Sequence, residues 1–124
     1  MYDKYGQFID GKWQKSASGE TYDVINPATE EVIGKASKAN SSDVQKALKS
    51  AEKGLQIWKN TSPWERSKII RKISDLIRKR VNVLWNWLTL DVGKPLTEGP
   101  GEIGGADDIF EWNSEETKRI FGEI

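Results

Sequence analysis

The sequence predicts an α/β chain in which β-hairpins over about 6–36 precede four α-helices over about 41–59, 62–80, 82–92 and 102–119. Three observations carry this reading. Turn residues separate short apolar runs before residue 40, the apolar period changes to that of a helix after it, and helix start and stop signals punctuate the remainder. Strands occupy 1–40 and helices 41–124 of what reads as a single folding unit.

Gln7-Phe8-Ile9 and Lys12-Trp13-Gln14 flank Asp10-Gly11. Asp-Gly between short apolar segments signals a hairpin because both residues tolerate positive φ. Thr21-Tyr22-Asp23-Val24-Ile25 and Glu31-Val32-Ile33-Gly34-Lys35-Ala36 form a second pair around Asn26-Pro27-Ala28-Thr29-Glu30. There Pro fixes φ and Asn bonds its own backbone.

From residue 41, Val44, Ala47, Leu48, Ala51, Leu55 and Trp58 make one stripe along about four helical turns, with Ser41 or Ser42 as the expected cap. Ser62-Pro63-Trp64-Glu65 starts the second helix with a hydroxyl cap, Pro at the first position and Glu three residues after the cap. Its expected buried face is Ile69, Ile70, Ile73, Leu76 and Ile77. The third helix carries Leu84, Trp85, Trp87 and Leu88 and stops at Gly93-Lys94-Pro95. After a Gly-rich bend, the fourth places Ile103, Ala106, Ile109, Phe110 and Asn113 or Trp112 on or near one face.

Composition bounds the function. The chain has 124 residues and 14.0 kDa, with 19 basic and 19 acidic side chains, six Trp, no Cys and no His. A folded monomer of this mass exposes roughly 6,700 Å² of the roughly 20,000 Å² its unfolded chain exposes, enough for one core. Without Cys there is no disulfide framework, thiolate nucleophile or iron–sulfur ligation, and without His the commonest general base and metal ligand is missing. No apolar run approaches a membrane span, so a cytoplasmic chain is expected.

Gly99-Pro100-Gly101-Glu102-Ile103-Gly104 matches G-x-G-x-x-G, but a helix precedes it where a dinucleotide-binding loop needs a strand. Gly93-Lys94 lacks the upstream glycine and the hydroxyl residue of a phosphate loop. The basic stretch Arg66 to Arg80 reads as the solvated face of an amphipathic helix, so no nucleic-acid partner is expected. The acidic segment Asp91 to Ile124 can be neutralised by pairing within the chain or between subunits. Asp107, Asp108, Glu111, Glu115 and Glu116 therefore read as structural, Glu115 pairing with Lys118 and Arg119. Six Trp exceed what four short helices bury, so part of that surface is expected at an interface.

Phe8-Ile9-Asp10-Gly11-Lys12-Trp13, Val24-Ile25-Asn26-Pro27-Ala28-Thr29-Glu30-Glu31-Val32-Ile33-Gly34 and Leu88-Thr89-Leu90-Asp91-Val92-Gly93-Lys94-Pro95-Leu96 together resemble the opening of the NAD(P)-dependent aldehyde dehydrogenases. Gly101-Glu102-Ile103, Ile109-Phe110-Glu111-Trp112 and Lys118-Arg119-Ile120-Phe121-Gly122 resemble the succinate-semialdehyde dehydrogenase branch. The sequence departs from the family at Glu30, where glycine is usual, and at Trp85 and Trp87, where smaller or aliphatic residues are common.

The resemblance implies an α/β family fragment: the N-terminal portion of an oligomeric oxidoreductase roughly four times longer. In that family the catalytic Cys, general-base Glu and cofactor-binding Lys lie beyond this portion. It implies no catalytic or cofactor-binding residue in this chain, with NAD or NADP bound by the full-length enzyme. The helix similar to Glu102–Arg119 would lie near the substrate entrance. Asp91, with a backbone carbonyl near Val24 or Ile25, matches a structural monovalent-cation position, while pairing with a neighbouring Lys or capping a backbone group suits Asp91 equally. Two functions follow: an inert N-terminal fragment completed by the remainder of the enzyme or by homo-oligomerisation, or a stand-alone helical interaction module that self-associates or binds a dehydrogenase subunit.

Overall fold

In the computed structural model of the chain, which describes residues 5–122, Asp10 and Gly11 adopt φ of 56° and 74°. Positive φ at both central residues matches the twist of the flanking strands. The turn joins β1 (Gln7–Ile9) to β2 (Lys12–Gln14) antiparallel, with Phe8 opposite Trp13. Trp13 also contacts Tyr5 and Phe8, at ring-centroid separations of 5.0 and 5.1 Å. A Cβ on Gly6 would lie 2.0 Å from the Gln14 carbonyl oxygen, so the chain enters β1 only through glycine.

β3 (Thr21–Ile25) pairs antiparallel with β4 (Val32–Ser37), Asp23 opposite Lys35 and joined to it by a 2.5 Å ion pair. The register shifts between Val24 and Ile25. In the connecting turn Asn26 Oδ1 accepts from the Ala28 amide at 2.9 Å, as the Asn-Pro signal predicts. Glu30 sits at φ 60°. An L side chain there crowds its own carbonyl, which explains why the departure from glycine at this position strains the hairpin.

α1 (Ser41–Asn60) starts where expected, but its cap is Asn40, not Ser41 or Ser42. Asn40 Oδ1 accepts from the Asp43 amide at 3.1 Å, and the Asn40 amide donates to Asp43 Oδ2 at 3.1 Å. This is a capping box written with Asn and Asp. The Asp43 carboxylate, 2% exposed, also accepts from Ser16 Oγ at 2.8 Å, the Ala17 amide at 3.1 Å and Gln7 Nε2 at 3.4 Å. The Asn40 amide, with Ser16, Ala17 and Gln7, holds its pKa below the usual carboxylate range against the opposing effect of burial.

The contacts group the chain into two units, Met1–Lys59 and Asn60–Ile124, where the sequence reads as one. α1 thus belongs with the hairpins. The second unit holds α2 (Pro63–Lys79), α3 (Val81–Val92), α4 (Gly99–Glu116) and a closing 3-10 turn, Thr117–Arg119. α2 has its capping box at Ser62 and Glu65, and α3 ends on Gly93 at φ 71°. α4 begins three residues before the expected start, because Pro100 supplies helical φ and needs no amide partner in a first turn. Gly99 is buried there, its missing Cβ position 3.0 Å from Trp85 Cβ, so α3 and α4 touch through a glycine.

Among the described residues no hydrophobic side chain is buried. The buried side chains are polar: Ser16 and Asp43 in the first unit, Ser67, Ser74, Asp107, Ser114 and Thr117 in the second. The α1 stripe is open, with Val44, Leu48 and Leu55 exposed and only Ala47 half-buried. The chain exposes 9342 Å².

Two turn positions test these conformations. Glu30→Gly relieves the positive-φ strain and raises stability by about 0.5–1 kcal/mol in urea unfolding, after glycine's own entropic cost. Gly6→Ala drives a Cβ into the Gln14 carbonyl and lowers stability by about 1–3 kcal/mol in the same measurement.

Candidate functional site

Ser67, Arg71, Ser74 and Arg78 recur at i, i+4, i+7 and i+11, so the Ser62 capping box starts a helix that carries all four on one face. Asp107, Glu111, Ser114 and Glu115 recur similarly on α4. These two faces meet. Arg78 donates from Nε to Asp107 Oδ2 at 2.8 Å and from Nη2 to Glu111 Oε2 at 2.8 Å. Arg71 donates to Glu111 Oε1 and, at 2.8 Å, to Glu115 Oε1. Ser74, fully buried, donates to Asp107 Oδ1 at 2.6 Å.

Each carboxylate titrates below its ordinary range. Ser74 and then Arg78 lower Asp107, Arg78 and Arg71 lower Glu111, and Lys118 and Arg71 lower Glu115. Conversely, Glu115 and Glu111 raise Arg71, while Glu111 and Asp107 raise Arg78. At the end of the seam Lys118 reaches Glu115 at 2.8 Å and sits 5.3 Å from the Trp64 ring centroid. Arg119 pairs with Glu116 rather than with the expected Glu115.

Arg71 and Arg78 thus pair with Asp107, Glu111 and Glu115 of the acidic segment 91–124 from the side of α2 that reads as solvated in the sequence. This reverses the expected burial of α2. Ile69, Ile73 and Leu76 are exposed and only Ile70 and Ile77 are half-buried. Small buried serines let the helices approach closely, so the Ser/Arg face packs and the aliphatic stripe points away. On α4, Ile103, Ala106 and Phe110 are half-buried as expected, whereas Ile109 and Trp112 are 63% and 69% exposed.

The remaining sequence candidates fall into place individually. Gly99, Gly101 and Gly104 lie inside α4 and none has positive φ, so this G-x-G-x-x-G segment offers no loop of converging amides. Lys94 is held by Glu102 at 2.6 Å, which with Glu98 raises its pKa. Asp91 lies exposed in the last turn of α3 and is not free, and Ile25 ends β3. Among the described residues no three His, Cys, Asp or Glu side chains converge as a metal site. No helix among the described residues is long and apolar enough to cross a membrane. The Asp43 cluster escaped the sequence reading, although Asn40-Ser41-Ser42-Asp43 carries the spacing of a capping box.

Against this geometry, residues 13–124 match the model of the Aldehyde dehydrogenase family. The chain is 37% identical over 116 residues to glutarate-semialdehyde dehydrogenase of Pseudomonas aeruginosa, covering 94% of this chain and 24% of that protein. It is 36% identical over 115 residues to the NADP(+) succinate-semialdehyde dehydrogenase of Escherichia coli, covering 93% and 24%. The crystal structure of an NAD-dependent aldehyde dehydrogenase from Sinorhizobium meliloti superimposes with a TM-score of 0.91 at 34% identity, covering 96% of this chain and 24% of that one. The chain thus spans about a quarter of the length of the relatives it matches.

The seam sets a pH dependence with a definite sign. Carboxylates with depressed folded pKa stabilise fully above their unfolded values, near 4, and that contribution is lost as pH falls through the folded values. Asp107→Asn lowers Tm at neutral pH, and the gap to the parent narrows towards roughly pH 2 in circular-dichroism melts. Ser114→Leu forces bulk between packed helices and costs about 1–3 kcal/mol by urea unfolding.

Proposed function

Because the chain belongs to the aldehyde dehydrogenase family, we propose that it forms the N-terminal part of an NAD(P)-dependent enzyme oxidising an aldehyde such as succinic semialdehyde to the carboxylate. In this reading these 124 residues turn over no substrate by themselves. One observation carries the structural half of the proposal. The described residues bury polar side chains and leave every apolar stripe at least partly open, the pattern of a part that completes its core against further protein.

The chemical half rests on inventory. The family's reaction adds a thiolate to the aldehyde carbon, and a nicotinamide cofactor accepts the hydride. The chain contains no cysteine. Its three-helix unit contributes position and packing, and the seam that neutralises Arg71 and Arg78 leaves neither guanidinium as a ready anion clamp. Asp91 stands near the negative end of the α3 dipole, which favours a cation there. It is proposed as a ligand of a structural monovalent cation in the assembled enzyme. The cofactor in that enzyme is NAD or NADP, and the assembly contains the remainder of the enzyme and further copies of it.

The test mixes the purified chain with succinic semialdehyde and NAD⁺ or NADP⁺ and follows absorbance at 340 nm. No reduced cofactor above the blank is expected. Turnover by the chain alone would overturn the inert-part reading.

A further inference from the structure

Four lysines of the first unit face one hollow. On α1, Lys46, Lys49 and Lys53 recur at i, i+3 and i+7 and so share a helix face. Lys12 and Trp13, from β2, line the same open cavity of about 430 Å³. The hairpin turn is tied to the helix at this point, because Ser50 Oγ donates to Asp10 Oδ1 at 3.4 Å. Among the described residues Asp10 is the one carboxylate lining the cavity, so four ammonium groups stand against a single negative charge. Lys46 approaches Asp43 at 3.9 Å, whereas Lys12, Lys49 and Lys53 enter no ion pair among the described residues.

A run of charge along a helix is ordinarily a solvated face. Here the cations come from two elements and meet over a concavity with an aromatic wall. The chain as a whole carries as many acids as bases, so this concentration does not follow from bulk charge. Like charges at i, i+3 and i, i+4 weaken a helix, and a multivalent anion seated between them removes that repulsion. From Lys46 to Lys53 the helix rises about 10 Å, longer than one phosphate group and suited to a chain of them. Ammonium groups on flexible stems bind phosphate oxygens as compact point charges with rotatable donors. We propose that this hollow binds a polyphosphate anion, its phosphate chain lying along Lys46, Lys49 and Lys53 with Lys12 opposite. Trp13 is 56% exposed and offers a ring on which a base stacks, so the phosphate chain belongs either to a nucleotide or to an inorganic polyphosphate. The site stands apart from the aldehyde chemistry proposed above, which uses none of these residues.

The experiment titrates the full 124-residue chain with inorganic triphosphate and, separately, with ATP, both without divalent cations, in an isothermal calorimeter. One triphosphate per chain is expected, with affinity falling as salt is added. Lys49→Gln with Lys53→Gln is expected to weaken binding at least tenfold while the melt stays within a few degrees of the parent's, because both side chains are exposed. Lys72→Gln with Lys79→Gln removes the same charge from exposed positions on α2 and is expected to leave affinity within about twofold of the parent's. Absence of binding at millimolar triphosphate overturns the proposal, as do full affinity in the α1 double variant and equal loss in the α2 one. Trp13→Leu separates the two sources. If it weakens ATP several-fold and leaves triphosphate unchanged, the site is one for a nucleoside polyphosphate; if ATP and triphosphate bind alike to both chains, it is one for the inorganic chain. Either result supports the lysine site.

Discussion

Two arginines of α2 organise the second unit. Arg71 and Arg78 lie two turns apart and each bridges two carboxylates of α4, with Glu111 shared between them. A guanidinium donates in a fixed planar fork, so two of them on one helix set both the rotation and the axial register of the helix they grip. These pairs are partly exposed, and exposed ion pairs contribute little net stability. Their effect is geometric: once the polar face of α2 is committed to α4, the aliphatic face has nowhere to go but outward.

The first unit follows the same logic with a single group. Asp43 gathers the start of β1, the Ser16–Ala17 segment and the start of α1 through hydrogen bonds to one carboxylate. A buried carboxylate is costly unless its lone pairs are satisfied, and here amides and a hydroxyl satisfy them. Both units therefore use polar contacts to fix local geometry and leave apolar surface unspent.

Much of this architecture is legible from local chemistry. Asp10-Gly11, Asn26-Pro27, Ser62-Pro63-Trp64-Glu65 and Gly93 each act through their own backbone conformation or an amide a few residues away, so their outcomes follow from sequence neighbours alone. Gly99-Pro100-Gly101 misleads as a bend because Pro and Gly also suit a first helical turn, and the close approach of Trp85 decides between the two. Ser41 and Ser42 mislead as caps because Asn40, with Asp43 three residues on, satisfies two amides at once. The site was harder to read. The carboxylates of α4 were legible as structural, but their partners on α2 lie 29 to 44 residues away in sequence, and no periodicity within one helix names the helix opposite.

By itself, the sequence determined the order and kind of the elements, the turns that join them, the absence of a thiol for the family's chemistry, and the family itself. Only the tertiary structure decided which face of each helix is spent. An amphipathic pattern says that a helix has two unlike sides, and the usual assumption buries the apolar one. In α2 small serines and paired arginines fit α4 more closely than branched aliphatics can, so the polar side packed. The aliphatic side was left exposed.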